Sequence, residues 1–144
     1  MRVLFLFATA IDIWAEPNFN SENINLDLIK AESNFDQNIK NFKNFEKKKG
    51  DSVIRLRELV LKKTFYDFIY IDGSHNGEDV LSDAIESFKI LKKDGIIVFD
   101  DAMASVDNEK KYQTYHGVIT FLKMFKKEIK ILYIKNIIVI KKIS

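Results

Sequence analysis

Acidic residues close four candidate strands of this 144-residue chain. Asp12 follows an apolar stretch that starts at Val3, Asp51 follows Lys49-Gly50, Asp72 follows Phe68-Ile69-Tyr70-Ile71, and Asp100-Asp101 follow Ile96-Ile97-Val98-Phe99. In open parallel sheets ligands bind beyond the carboxyl ends of the strands, so these positions are where chemistry is expected. Carboxylates there can accept hydrogen bonds from ribose hydroxyls or an amino group, hold a hard cation such as magnesium or calcium, or offset a positively charged ligand. Each acid also has a purely structural reading. Asp72 can close a strand and bond the amides of Gly73 or Ser74 in a turn. Asp51 can cap the helix that follows it, and Asp100 can cap the next segment. His75 is either a base or substrate contact, or a solvated loop residue.

The remaining composition narrows the chemistry. There is no Cys, which excludes disulfides, thiolate metal sites and cysteine nucleophiles. His75 and His116 are the only histidines, too few for a multi-histidine zinc site. No Gly-x-x-x-x-Gly-Lys-Ser/Thr loop and no Gly-x-Gly-x-x-Gly is present, so phosphate cradling is not supported; a nucleoside-like, cationic ligand fits the acids better. Lys+Arg number 23 and Asp+Glu 21, and a net charge of +2 argues against a dedicated nucleic-acid binder. The lysines at 47–49 and from Lys123 to Lys142 read as solvated faces, and His116 reads as structural. Trp14 can stack on a ligand ring or simply pack.

Elements that would position the acids follow from hydrophobic periodicity. Residues 3–13 read as a buried strand; the start, Met1 to Ala10, also imitates a secretory signal, but the rest of the pattern needs a strand there. Residues 21–44 read as helical, with Ser21 as a cap and a break near Ser33-Asn34. Phe45 to Lys49 is a polar candidate strand ended by Gly50, and a helix capped by Asp51 or Ser52 carries Val53, Leu56, Leu59 and Val60. Tyr66 to Asp72 is a strand. The helix over 77–92 buries Val80, Leu81, Ala84, Ile85, Phe88 and Leu91 and is ended by Asp94-Gly95. Ile96 to Phe99 is a strand, 102–111 a loop, and 112–127 a helix with Tyr115, Ile119, Leu122 and Phe125 in register. Lys130–Ile134 and Ile137–Lys141 form a hairpin-like ending. Pro17 lies in a loop. Alternating strands and helices imply an α/β fold, a Rossmann-like three-layer αβα sandwich whose mostly parallel sheet carries an antiparallel terminal strand at an edge.

The run Phe65-Tyr66-Asp67-Phe68-Ile69-Tyr70-Ile71-Asp72-Gly73-Ser74-His75, then Asp79 to Asp83, then Leu91 to Asp101, resembles class I S-adenosylmethionine-dependent methyltransferases. The branch it resembles most ends strand four in Ile-Asp-Gly-Ser/Asp-His and strand five in Asp-Asp. Ile11-Asp12-Ile13-Trp14 is similar to that family's second strand, and Lys49-Gly50-Asp51-Ser52 to the segment after its third. The resemblance implies a single methyltransferase-like domain over 1–144 and methyl transfer from S-adenosylmethionine to a small-molecule hydroxyl. Asp12 would accept from the cofactor ribose, and Gly50, Asp51 and Ser52 would border its adenine. Asp72 would lie near the methyl group, with His75 a candidate base. Metal-dependent relatives use acids at the positions of Asp72, Asp100 and Asp101 for a divalent cation such as Mg2+, which lowers the pKa of the substrate hydroxyl. The family's first strand and Gly-rich loop have no counterpart, which implies a domain truncated at its amino-terminal side: a catalytically inactive fragment, or a module completed by a partner chain or a second copy. A cytoplasmic location with no membrane or nucleic-acid partner is the matching expectation.

Overall fold

The computed structural model of the chain describes residues 7–14, 26–74, 76–103 and 113–144. Residues 3–6, Pro17, Ser21, Ile24, His75 and most of the expected 102–111 loop lie outside them. The chain divides into two compact units, Met1–Arg55 and Leu56–Ser144.

The first unit contains β1 (Ala8–Asp12), α1 (Leu26–Ile39) and β2 (Phe45–Lys49), and α2 (Ser52–Leu61) begins in it. β1 and β2 pair in parallel, from Ala8 opposite Phe45 to Asp12 opposite Lys49. A strand reading Phe-Glu-Lys-Lys-Lys is stable here because its lysines have partners on α1. Alternation puts Lys47 and Lys49 on one side of β2. Both bond Glu32, at 2.8 and 2.9 Å, and Lys47 also bonds Asp36 at 2.7 Å. The expected break at Ser33-Asn34 does not occur. Both residues are exposed, so neither sacrifices packing, and the helix runs through them. It ends at Ile39, earlier than the periodicity suggests, where the Phe42 amide donates to the Ile39 carbonyl at 2.8 Å in a closing turn.

The second unit holds β3 (Tyr66–Ile71), α3 (Gly77–Ile90), β4 (Leu91–Phe99), α4 (Gln113–Met124), β5 (Ile129–Ile134) and β6 (Ile138–Lys142). Its sheet runs β3-β4-β6-β5. β3 and β4 are parallel, and β6 is antiparallel to both β4 and β5. The reversed terminal strand is therefore present, but it lies between β4 and β5, and β5 takes the edge. Ile71, Ile97, Phe99, Ile138 and Ile140 face Val80, Ala84 and Phe88 of α3 and Val118, Phe121 and Leu122 of α4 across one core. The rings of Phe88, Phe99, Phe121 and Phe125 pack at centroid separations of 4.5–5.6 Å.

Two helix ends depart from expectation for identifiable reasons. α3 stops at Ile90, and Leu91 enters β4 directly; Asp94-Gly95 lie inside that strand. The half-buried Lys142 donates from its ammonium group to the carbonyls of Phe88 and Leu91, at 2.9 and 3.0 Å, and so finishes the helix from the sheet. It also sits 4.4 Å from the Phe88 ring centroid. The residues between Leu91 and Ile96 form a bulge, since Tyr66 pairs with Leu91 and Phe68 with Ile96, and Asp94 adopts a φ of 65°. In α4 the buried face is Thr114, Gly117-Val118 and Phe121-Leu122, with Tyr115, Ile119 and Phe125 at its border. A Cβ at Gly117 would fall on the Gly77 carbonyl oxygen, so contact with α3 sets the rotation of α4. Among the described residues no helix is long and apolar enough to cross a membrane.

Candidate functional site

In the first unit, Asp12 ends β1 with its side chain exposed. Its carboxylate accepts the Trp14 amide at 3.0 Å, and its carbonyl accepts the Gly50 amide at 2.9 Å. The ends of the two paired strands are thereby tied together. Gly50 has a φ of 131°, a conformation that side-chain-bearing residues rarely adopt. The Arg55 guanidinium lies 3.0 Å from where its Cβ would be, and Arg55 Nε donates to the Lys49 carbonyl at 2.8 Å. Asp51 accepts the Ile54 amide at 2.9 Å, which makes it the N-cap of α2; Ser52 is the first helical residue. Trp14 packs on Phe35, with centroids 4.6 Å apart, beneath the Lys47 ammonium. Its buried indole N–H has no acceptor among the described residues. Glu32, between Lys47 and Lys49, is held down to a pKa of about 2, mainly by hydrogen bonds from those two ammonium groups.

In the second unit, the ends of β3 and β4 and the start of α4 enclose one cleft. Ile71, Asp72, Gly73, Ser74, Val80, Phe99, Asp100, Asp101 and Thr114 line it. The expected residues Asp72, Asp100 and Asp101 thus all line the cleft. The turn that carries Asp72 is built by short side chains. Ser74 Oγ accepts the Asn76 amide, and Asn76 Oδ1 accepts the Glu78 amide, each at 3.0 Å, so Asn76 is the N-cap of α3. The Asp100 amide donates to the Ile71 carbonyl at 2.9 Å, which extends the β3–β4 ladder to the acids themselves.

Tyr70 and Thr114 join the site without having been expected there. Tyr70 lies opposite Val98, and Asp100 follows the end of β4, two residues beyond Val98. That is the diagonal relation across which an aromatic side chain reaches its neighbour. The Tyr70 hydroxyl donates to Asp100 Oδ2, and the Asp101 amide donates to Asp100 Oδ1 at 2.9 Å. The carboxylate beside it pushes the Tyr70 phenol up to about 12, and the same hydrogen bond holds Asp100 below the ordinary carboxylate range. Strand register was the signal that could have found Tyr70; Thr114 gave none, because the expected apolar stripe of α4 was rotated away from it.

Among the described residues no three acidic or imidazole side chains gather into a metal-ligand set. Asp100 has a hydrogen bond on each oxygen.

Comparison with known proteins decides the family. The family described as "Methyltransferase domain" matches residues 7–102, two-thirds of the chain and all of the β1 to β4 region. The chain belongs to this methyltransferase family. Several solved structures share the fold. The MycE methyltransferase of the mycinamycin biosynthetic pathway, in complex with Mg, SAH and mycinamycin VI, superposes with a TM-score of 0.62 at 15% identity over 96% of this chain and 45% of its own. The O-methyltransferase from Bacillus cereus in complex with SAH gives 0.64 at 13% identity, over 94% and 63%. CalS11, a TDP-rhamnose 3'-O-methyltransferase of calicheamicin biosynthesis, gives 0.53 at 15%, over 92% and 57%. The methyltransferase-family chain thus spans between about half and two-thirds of the length of these neighbours. No curated protein matches it.

Proposed function

We propose that this chain carries a site for methyl transfer from S-adenosylmethionine to the hydroxyl of a small molecule, in the cytoplasm. The observation that carries the reading is the meeting of Asp72, Asp100 and Asp101 in one cleft at the ends of β3 and β4, in a chain of the methyltransferase family. When bound, S-adenosylmethionine supplies an electrophilic methyl group on a positively charged sulfur. The carboxylates of the cleft offset that charge. Asp72 orients the acceptor hydroxyl and takes its proton as the oxygen–carbon bond forms and the sulfur–carbon bond breaks. His75 is the alternative proton acceptor. In the first unit, Asp12 is the proposed acceptor for vicinal hydroxyls of the ribose, and Gly50, Asp51 and Ser52 the proposed border of the adenine. No step is routed through a divalent cation.

Methyl-labelled S-adenosylmethionine, offered with a panel of phenols and sugars, tests the reading. Labelled methyl ether should form, and Asp72→Asn should slow its formation by about 10²–10⁴-fold, the usual cost of losing a general base. Protein that binds S-adenosylhomocysteine yet transfers no label to any acceptor would count against a hydroxyl acceptor.

A second reading is favoured by the sheet arrangement. The strands form a two-stranded and a four-stranded sheet, and β3 pairs with β4 alone among the described strands. In that reading the chain is a module that binds cofactor only when a partner chain or a second copy completes it.

A further inference from the structure

Strand directions give the second unit two unlike ends. β3 and β4 start together, with Tyr66 opposite Leu91. β6 ends and β5 starts at that same end, with Ile96 opposite Lys141 and Lys142 opposite Ile129. The cleft lies at the other end, beyond Ile71 and Phe99. The segments leading into the strands are rich in lysine. Lys62 and Lys63 precede β3, Lys93 lies near the start of β4, Lys126 and Lys127 precede β5 and Lys130 lies in it; all six are exposed. Acidic neighbours do little to neutralise them. Asp67 and Asp94 are engaged by Lys92 and Lys141, at 2.8 and 2.7 Å, which leaves Glu128 beside Lys127. Large apolar side chains stand exposed at the same end: Leu61 at 83%, Met124 at 57%, Phe65 at 53% and Ile143 at 45%. The Ile143 amide donates to the Glu128 carbonyl at 2.8 Å, which keeps Ile143 beside the start of β5. Taken singly along the chain, these lysines look like solvated faces. The strand directions collect them, with the apolar side chains, at one end of the sheet.

Lysines interspersed with exposed apolar groups complement an anionic bilayer. Each ammonium near the headgroups strengthens binding about fivefold, while apolar side chains enter the boundary between headgroups and acyl chains. A single-stranded nucleic acid fits less well, because it is held by aromatic rings that stack on bases and by arginine. The exposed apolar groups here include one aromatic ring, and the segments that form this end contain no arginine. We propose that the amino end of this sheet docks the protein on an anionic phospholipid surface, with the acid-lined cleft at the far end turned to water. The contact is peripheral, since no helix among the described residues is long and apolar enough to cross a membrane.

Sedimentation of the full chain with large unilamellar vesicles tests this, using phosphatidylcholine alone or with about one-third phosphatidylserine. Wild type should bind the anionic vesicles saturably, release them as salt is raised, and leave the neutral vesicles unbound. Lys126→Glu and Lys127→Glu should each weaken binding at least about fivefold. Leu61→Ser should weaken it at least about threefold, through loss of an inserted apolar side chain. Lys135→Glu makes the same charge change in the β5–β6 turn at the cleft end, and should leave binding nearly unchanged. All four side chains are exposed, and circular dichroism melting confirms that each variant is folded. No binding of wild type to the anionic vesicles would overturn the proposal. Equal losses from Lys126→Glu and Lys135→Glu would also overturn it, by tying binding to net charge alone. Tighter binding to single-stranded oligouridylate than to the vesicles would overturn it in favour of a nucleic-acid partner. Vesicle binding is read without cofactor or methyl acceptor, so failure of methyl transfer would bear on the proposed function alone.

Discussion

At the scale of single residues, side chains in each unit owe their state to partners that strand alternation puts within reach. Tyr70 meets Asp100 across a strand diagonal, and Glu32 meets Lys47 and Lys49 two residues apart on β2. Glu32 has a measurable consequence. Its pKa falls from the ordinary 4.5 to about 2, so its folded state prefers the ionised form. The stability it contributes is complete above about pH 4.5 and is lost as pH falls through about 2. Thermal melts of wild type and Glu32→Gln should therefore differ most near neutral pH and converge toward pH 2. A gap that stays constant across that range would show that the ion pairs contribute nothing to stability. Asp51 illustrates a residue whose structural reading is realised: it caps α2 through the Ile54 amide, and a cofactor role for it would have to coexist with that bond.

At the scale of elements, the strands were legible because their signals are local. Phe68 to Ile71 and Ile96 to Phe99 are apolar runs cut by Asp, and β2, β3 and the β5–β6 hairpin lie within a residue of where patterning puts them. The acidic triad was legible for the same reason, since each acid terminates such a run. What sequence could not supply came from tertiary contacts. The end of α3 is set by Lys142, more than fifty residues away, and the insertion of β6 between β4 and β5 depends on pairing that no local pattern encodes. The face of α4 is set by the backbone-to-backbone approach of Gly117 and Gly77. Gly117→Ala should therefore destabilise the protein. Overpacking costs about 1–3 kcal/mol and outweighs the gain of up to about 1 kcal/mol in helix propensity. Thermal denaturation checks this, and a raised melting temperature would mean that α3 and α4 are free to move apart.

At the scale of the whole molecule, the chain is a methyltransferase-family member that spans only part of its solved neighbours, and its strands form two sheets. A net charge of +2 gives no general pull toward nucleic acid. The negative rim at Asp72, Asp100 and Asp101 is a local feature, carried by strand ends, and it is the basis for assigning a cationic ligand. Whether this chain alone holds the cofactor is the claim on which the account turns. Isothermal titration of the folded chain with S-adenosylhomocysteine tests it most directly. The account predicts a saturable heat that Asp12→Ala weakens by about tenfold or more, the loss expected when a carboxylate that accepts ligand hydroxyls is removed; no detectable heat from well-folded protein would contradict it.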